Sequence, residues 1–195
     1  MNQTETKETN MTFIKTIAAS FAVLISSQAA FADAHTSALT LSSTTISEGE
    51  VMGADQVFEG FGCSGGNMSP DLSWANAPEG TESFVVTVYD PDAPTGSGWW
   101  HWSVFNIPAD VSSLDARTMA DAGLPNGAVE LTNDYGAVGF GGACPPAGEV
   151  HRYEFTVYAL PTMLELDGSV SNALLGFMTN SMAIGSDKIT AVYHR

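Results

Sequence analysis

The sequence predicts a mainly β protein: a two-sheet antiparallel β-sandwich with a few short peripheral helices. Three observations predict it. Short runs rich in β-branched and aromatic residues recur along the chain, the clearest over 83–89. Clusters of Gly, Pro, Asn and Asp separate those runs at short intervals. One late stretch alone spaces its apolar residues as a helix does, and many short strands with one helix suit an antiparallel sandwich.

Taken in order, 38–41 opens the fold as a strand, and 50–56 is polar and loop-like. A short strand is expected over 72–74, after a Ser-Pro step. The run Ser83-Phe84-Val85-Val86-Thr87-Val88-Tyr89 is apolar on both faces and predicts a buried central strand. Residues 102–107 form another, stopped by Pro108, and 110–123 is expected to be turn, with room for one helical turn. Residues 152–160 alternate and end at Pro161, giving a third strong strand. Ser169 or Ser171 can cap a helix through Leu174, Leu175, Phe177, Met178 and Met182, whose methionines are expected to pack into the core. A last strand is expected over 188–193.

At 195 residues and 44% hydrophobic content the chain can bury one sizeable core. Its 22 acidic against 6 basic residues give a net charge of −16. A field of that sign opposes binding to nucleic acid or an anionic lipid surface. An anionic ligand would therefore need a local set of donors.

The front of the chain reads as a targeting segment. Lys15 precedes an apolar run over 17–25, and a small-residue tail ends Ala29-Ala30-Phe31-Ala32. Ala30-x-Ala32 fits the small-x-small cleavage rule, so residues 1–32 are the expected signal and 33–195 the single mature domain. Glu5 and Glu8 outweigh Lys7 before Met11, which makes Met11 an alternative true start. The apolar run is shorter than the roughly 20 residues of a spanning helix, so no transmembrane segment is expected. The mature protein is expected to be soluble and periplasmic or secreted. In such an oxidising compartment Cys63 and Cys144 are read as a disulfide, the alternative being two buried free thiols.

Chemistry concentrates in two stretches. In Asp90-Pro91-Asp92-Ala93-Pro94 two prolines stiffen a loop at the end of the central strand. Asp90 and Asp92 could form an acid–base pair, ligate a hard cation, cap a turn or pair with an arginine. Pro94 and Thr95 break the continuation of a calcium loop. In the second stretch His151 and Tyr153 are two apart on a strand and share a face, while Arg152 takes the other, where it could pair with Asp92. His101, among tryptophans, is either a packed core residue or part of the same cluster. If His101, His151, Tyr153 and Asp90 converge, the imidazoles can donate to an anion, and a nearby carboxylate would keep them charged. The glycines Gly139, Gly141 and Gly142 allow close backbone approach but match no phosphate-loop or dinucleotide fingerprint. No nucleophile elbow or zinc-protease helix motif occurs.

Four motifs in order, Gly62-Cys63-x-Gly65-Gly66-Asn67-x-Ser69-Pro70, Asp90-Pro91-Asp92-Ala93-Pro94, Trp100-His101-Trp102 and Cys144-Pro145-Pro146 closing on His151-Arg152-Tyr153, resemble the phosphatidylethanolamine-binding protein family. The resemblance is closest to its bacterial Raf-kinase-inhibitor-like branch. It implies the two-sheet sandwich and a small pocket for phosphate-like anions or phospholipid head groups. By motif, Asp90, His101, His151 and Tyr153 would line that pocket, Asp92 would support its loop, and Pro145 with the glycines would shape its rim. No cofactor, metal or catalytic residue is implied. A possible homodimer is, and so is a possible protein partner, a protease or kinase inhibited through the loops around the pocket. Hydrolysis is the remaining alternative, weakened by the lack of an activated nucleophile. Ala143 departs from the bacterial motif, which usually has proline there.

Overall fold

A computed structural model describes residues 38–117 and 123–195. The expected signal segment, 1–32, and Met11 lie outside the described residues. The strands are β1 (Thr40–Ser42), β2 (Glu59–Gly60), β3 (Cys63–Ser64), β4 (Leu72–Ala75), β5 (Ser83–Asp90), β6 (Trp99–Pro108), β7 (Ser113–Leu114), β8 (Val129–Glu130), β9 (Val150–Leu160) and β10 (Gly185–His194). Among the described residues, one α-helix, α1 (Asn172–Met182), and one 3-10 turn, Ala54–Gln56, complete the elements. A five-stranded antiparallel sheet runs β10-β9-β5-β6-β8, a three-stranded sheet runs β1-β4-β7, and β2-β3 form a small ribbon.

The both-faced apolar run of β5 places it at the centre of the large sheet, with every residue from Ser83 to Val88 buried. Its even positions Phe84, Val86 and Val88 pack with Phe155, Leu41, Leu72 and Trp74 in the core between the two sheets. Val85 points the other way and joins Phe105, Leu160 and Leu175 in a second core beneath α1. Each such side chain contributes about 1.5–3 kcal/mol of burial free energy.

Two irregularities in β6 against β5 matter more than the regular pairs. Phe84 faces Ile107 while Val86 faces Val104, so β6 carries an extra residue between them. Asn106 sits there at φ 57°, and its amide side chain exchanges two hydrogen bonds with the backbone of Leu164, at 2.9 and 2.7 Å. The second shift lies between Val88, opposite Trp102, and Tyr89, opposite Trp100. His101 is the extra residue. The register of β5 with β9 runs unbroken past this point, so the bulge belongs to β6.

Several expectations need correction. Residues 113–114, expected within a turn, form β7 and pair with β4. β6 begins three residues earlier than predicted and includes Pro108. The helix starts after Ser171, whose hydroxyl accepts from the Leu174 amide at 3.1 Å. Its inward face is Asn172, Leu175 and Thr179, whereas Leu174 and Phe177 face out. Met182 packs against the second core, as the spacing suggested. The last strand starts three residues earlier than expected, at Gly185.

Candidate functional site

At one end of β5, β6 and β9 lies a cavity of about 240 Å³. Strand parity explains its contents. Asp90 continues the alternation of Val86 and Val88, and His151 and Tyr153 continue that of Phe155 and Val157. All three therefore face the side of the large sheet that carries the main core. The bulge turns His101 toward the same space. Asp90, His101, His151, Tyr153 and Pro145 all line the cavity.

His101 is 2% exposed. Its Nδ1 donates to the carbonyl of Gly141 at 2.6 Å, and its own carbonyl accepts from the Gly141 amide at 2.8 Å. A carbonyl only accepts, so Nδ1 carries the proton and Nε2 is the free position. That Nε2 is buried and has no hydrogen-bond partner. Burial pushes the imidazole below its ordinary pKa, against smaller upward contributions from the Gly141 carbonyl and Asp90. The expectation that a nearby carboxylate keeps this histidine charged is thereby corrected: desolvation wins.

His151 is the opposite case. Its Nδ1 donates to Asp90 Oδ2 at 2.7 Å and its Nε2 to Glu149 Oε2 at 3.0 Å. Both ring nitrogens face carboxylates, which requires a proton on each. Burial lowers its pKa, but the hydrogen bonds and charges of Glu149 and Asp90 outweigh that and raise it. Asp90 is fixed on its other oxygen too, where Oδ1 accepts from the amides of Asp92 and Ala93 at 2.8 and 3.0 Å. The carboxylate thus caps its own proline loop and orients His151.

Tyr153 is 1% exposed, and its hydroxyl has no hydrogen-bond partner at proper geometry. Burial, then the charge of Asp90, pushes the phenol far above its ordinary pKa, so it stays a donor. Asp92 does not line the cavity. Arg152 takes it from outside, with Nε and Nη2 donating to the two carboxylate oxygens at 2.9 and 2.7 Å and the Arg152 amide adding a third bond. This pairing holds the Asp92 carboxyl down at about 2.

Cys63 and Cys144 are joined by a disulfide, with Cα atoms 6.0 Å apart. It ties the start of β3, just after the turn bearing Phe61, to the Cys144-Pro145-Pro146 wall. Ala143 explains its own departure from the motif: its amide donates to the carbonyl of Gln56 at 2.9 Å, a bond proline could not make. Gly142 lies so close to the 56–58 segment that a Cβ would meet the Gln56 carbonyl and the Phe58 nitrogen at 2.5 Å.

Sequence reasoning missed an aromatic mouth. Tyr135 stacks on Phe58 with ring centres 3.8 Å apart, and Phe61 and Trp99 meet it edge-on at 5.5 and 5.2 Å. Phe61, Trp99 and Tyr135 line the cavity, and Phe61 is 74% exposed. No spacing in the sequence links residues 61, 99 and 135. Glu149 was missed too, although it stands two residues before His151. Among the described residues, no three His, Cys, Asp or Glu side chains converge as a metal-ligand set.

Comparison with known proteins agrees with this architecture. A sequence model of phosphatidylethanolamine-binding protein matches residues 42–194. The UPF0098 proteins YbcL and YbhB of Escherichia coli are 53% and 44% identical over 164 and 157 residues. Those alignments cover 82% and 80% of this chain and 90% and 99% of the relatives. The crystal structure of YbcL, described as a member of the mammalian PEBP family, superposes with a TM-score of 0.78 over 80% of this chain and 98% of its own. The homologue CT736 of Chlamydia trachomatis gives 0.68 at 29% identity, over 81% of this chain and 98% of its own. With the fold and these matches in agreement, the chain belongs to the phosphatidylethanolamine-binding protein family.

Proposed function

We propose that this is an exported binding protein whose cavity captures a phosphate-like group, free or as a phospholipid head group. One observation carries the reading: His101 Nε2 and the Tyr153 hydroxyl are both buried, both without a hydrogen-bond partner at proper geometry, and both on side chains lining the same cavity. Unpaired buried polar atoms cost roughly 1–3 kcal/mol each, and a bound oxyanion would satisfy them. Protonated His101 and Tyr153 would donate to the anion, while Asp90 orients His151. The apolar mouth of Phe61, Trp99 and Tyr135 suits the carbon skeleton of a larger ligand.

Export is supported by the front-end sequence pattern together with the disulfide, which persists in oxidising compartments. Binding is favoured over hydrolysis because the lining offers no activated nucleophile. The one cysteine there is bonded, and the Thr95 hydroxyl donates to the Gly98 carbonyl. The exposed Phe61 also favours a second reading, a protein partner seated on the mouth. Calorimetry with inorganic phosphate and phosphoethanolamine tests the first. Binding by the native chain and its loss in His101→Ala are expected; equal binding by the two proteins sinks the assignment. Mild crosslinking in a periplasmic extract tests the second, and a chain that stays uncoupled there counts against it.

A further inference from the structure

An imidazolium has two N–H donors, and both of those on His151 are in use. The two acceptors are unlike each other. Asp90 is nearly inaccessible, its side chain 4% exposed, and it is pinned by two backbone amides as well as by His151. Glu149 is 52% exposed on its side chain, and it sits on the turn that leads into β9, where its amide donates to the Pro146 carbonyl at 3.1 Å. Asp90 is thus the permanent partner and Glu149 the exchangeable one. A half-exposed glutamate has several solvent rotamers open to it, and an ion pair of that exposure holds only weakly.

We propose that Glu149 is a built-in competitor at the cavity: its carboxylate occupies the Nε2 donor of His151 that an anionic ligand needs, and so sets both affinity and ligand choice. This rests on the anion-binding reading above. For His151 to donate to a ligand, Glu149 must let go of Nε2, and the released carboxylate still stands beside the site. It opposes a bare dianion by charge. A ligand that also carries an ammonium group offers the released carboxylate a new partner and loses less. Glu149 therefore acts as a specificity residue, favouring zwitterionic phosphate esters over inorganic phosphate, while Asp90 keeps the imidazole oriented throughout.

The test measures inorganic phosphate and phosphoethanolamine binding by calorimetry on the native chain, Glu149→Gln and Glu149→Ala. Both variants are expected to bind inorganic phosphate about threefold to tenfold more tightly, the range that a weak ion pair and one nearby charge allow. Phosphoethanolamine is expected to gain less than phosphate in both, so the ratio of the two affinities moves toward phosphate. A purely structural role for Glu149 would leave that ratio where it was. Equal phosphate affinity in all three proteins, or weaker binding by the variants, overturns the competitor and leaves the anion site standing. Absence of binding of either ligand to any of the three proteins overturns the anion site itself, and the competitor with it.

Discussion

The imidazole of His101 and the carbonyl of Gly141 are joined at 2.6 Å, and that one bond decides which face of the ring meets the cavity. With Nδ1–H committed to Gly141, the neutral ring presents a lone pair at Nε2, and only the protonated ring presents a donor. Burial lowers this pKa, so protonation takes acid. Sulfate keeps its charge through the neutral and mildly acidic range and makes a clean probe. Its affinity is expected to rise as the pH falls from about 7.5 to about 5, and the rise should shrink in His101→Gln. A flat profile in the native chain would show that His101 does not meet the anion as an acid.

Tyr153→Phe separates binding from packing. The ring belongs to the main core, but its hydroxyl has no partner there. Removing it should leave thermal stability unchanged or slightly higher while weakening phosphate binding about tenfold. Reduced stability with unaltered affinity would assign the hydroxyl to the fold instead.

The Cys63–Cys144 bridge spans a sequence separation of 81. Replacing both cysteines by alanine is expected to cost about 2–4 kcal/mol of unfolding free energy in denaturant titrations. A change below about 0.5 kcal/mol would mean that the rest of the fold already confines these two loops.

Gly142→Ala would drive a methyl group into the backbone of Gln56 and Phe58. Overpacking of this kind costs about 1–3 kcal/mol, and here it also displaces the neighbouring Gly141 carbonyl that holds His101. Stability and anion affinity should therefore fall together. A variant that loses neither would show that the 140s loop can yield freely.

Two pH windows of stability follow from opposite shifts. The Asp92 carboxyl, held near 2 by Arg152, contributes stability that is present above its ordinary value of 3.8 and is lost as the pH falls toward about 2. His151 is raised, so its contribution is full below an unfolded value of about 6.5 and fades as the pH climbs through the folded value. Arg152→Ala should flatten the acid limb of a melting-temperature profile, and His151→Gln the alkaline one. An acid limb identical in Arg152→Ala would place the acid sensitivity elsewhere.

The long strands were legible because each carries its own periodicity: the two-faced run of β5 and the alternation of β9 need no partner to be read. The same alternation put His151 and Tyr153 on one face and Arg152 on the other. What a single strand cannot show is register. The bulge at His101 exists only as a mismatch between β5 and β6, and β7 is two residues recognisable only by its pairing with Leu72 and Ser73. The helix was legible from its apolar spacing and a serine cap, Ser169 or Ser171, of which the structure uses Ser171. Which of its residues turn inward was not legible: Asn172, Leu175 and Thr179 are buried, whereas Phe177 is exposed. Phe61, Tyr135 and Glu149 reach the site from segments whose local sequence says only loop.

The disulfide has a further meaning once its position is considered. It joins the loop bearing Phe61 to the wall bearing Pro145, so two sides of the cavity are one covalent piece. Arg195 lies against both sulfurs, its Nη1 3.3 and 3.5 Å away, and donates to the Phe61 carbonyl at 3.2 Å. The shape of the mouth is therefore inherited from an oxidation event rather than from packing alone. Chain made in a reducing environment would share the sandwich yet differ at its mouth, which turns thiol status into a quality mark for any preparation used to measure binding.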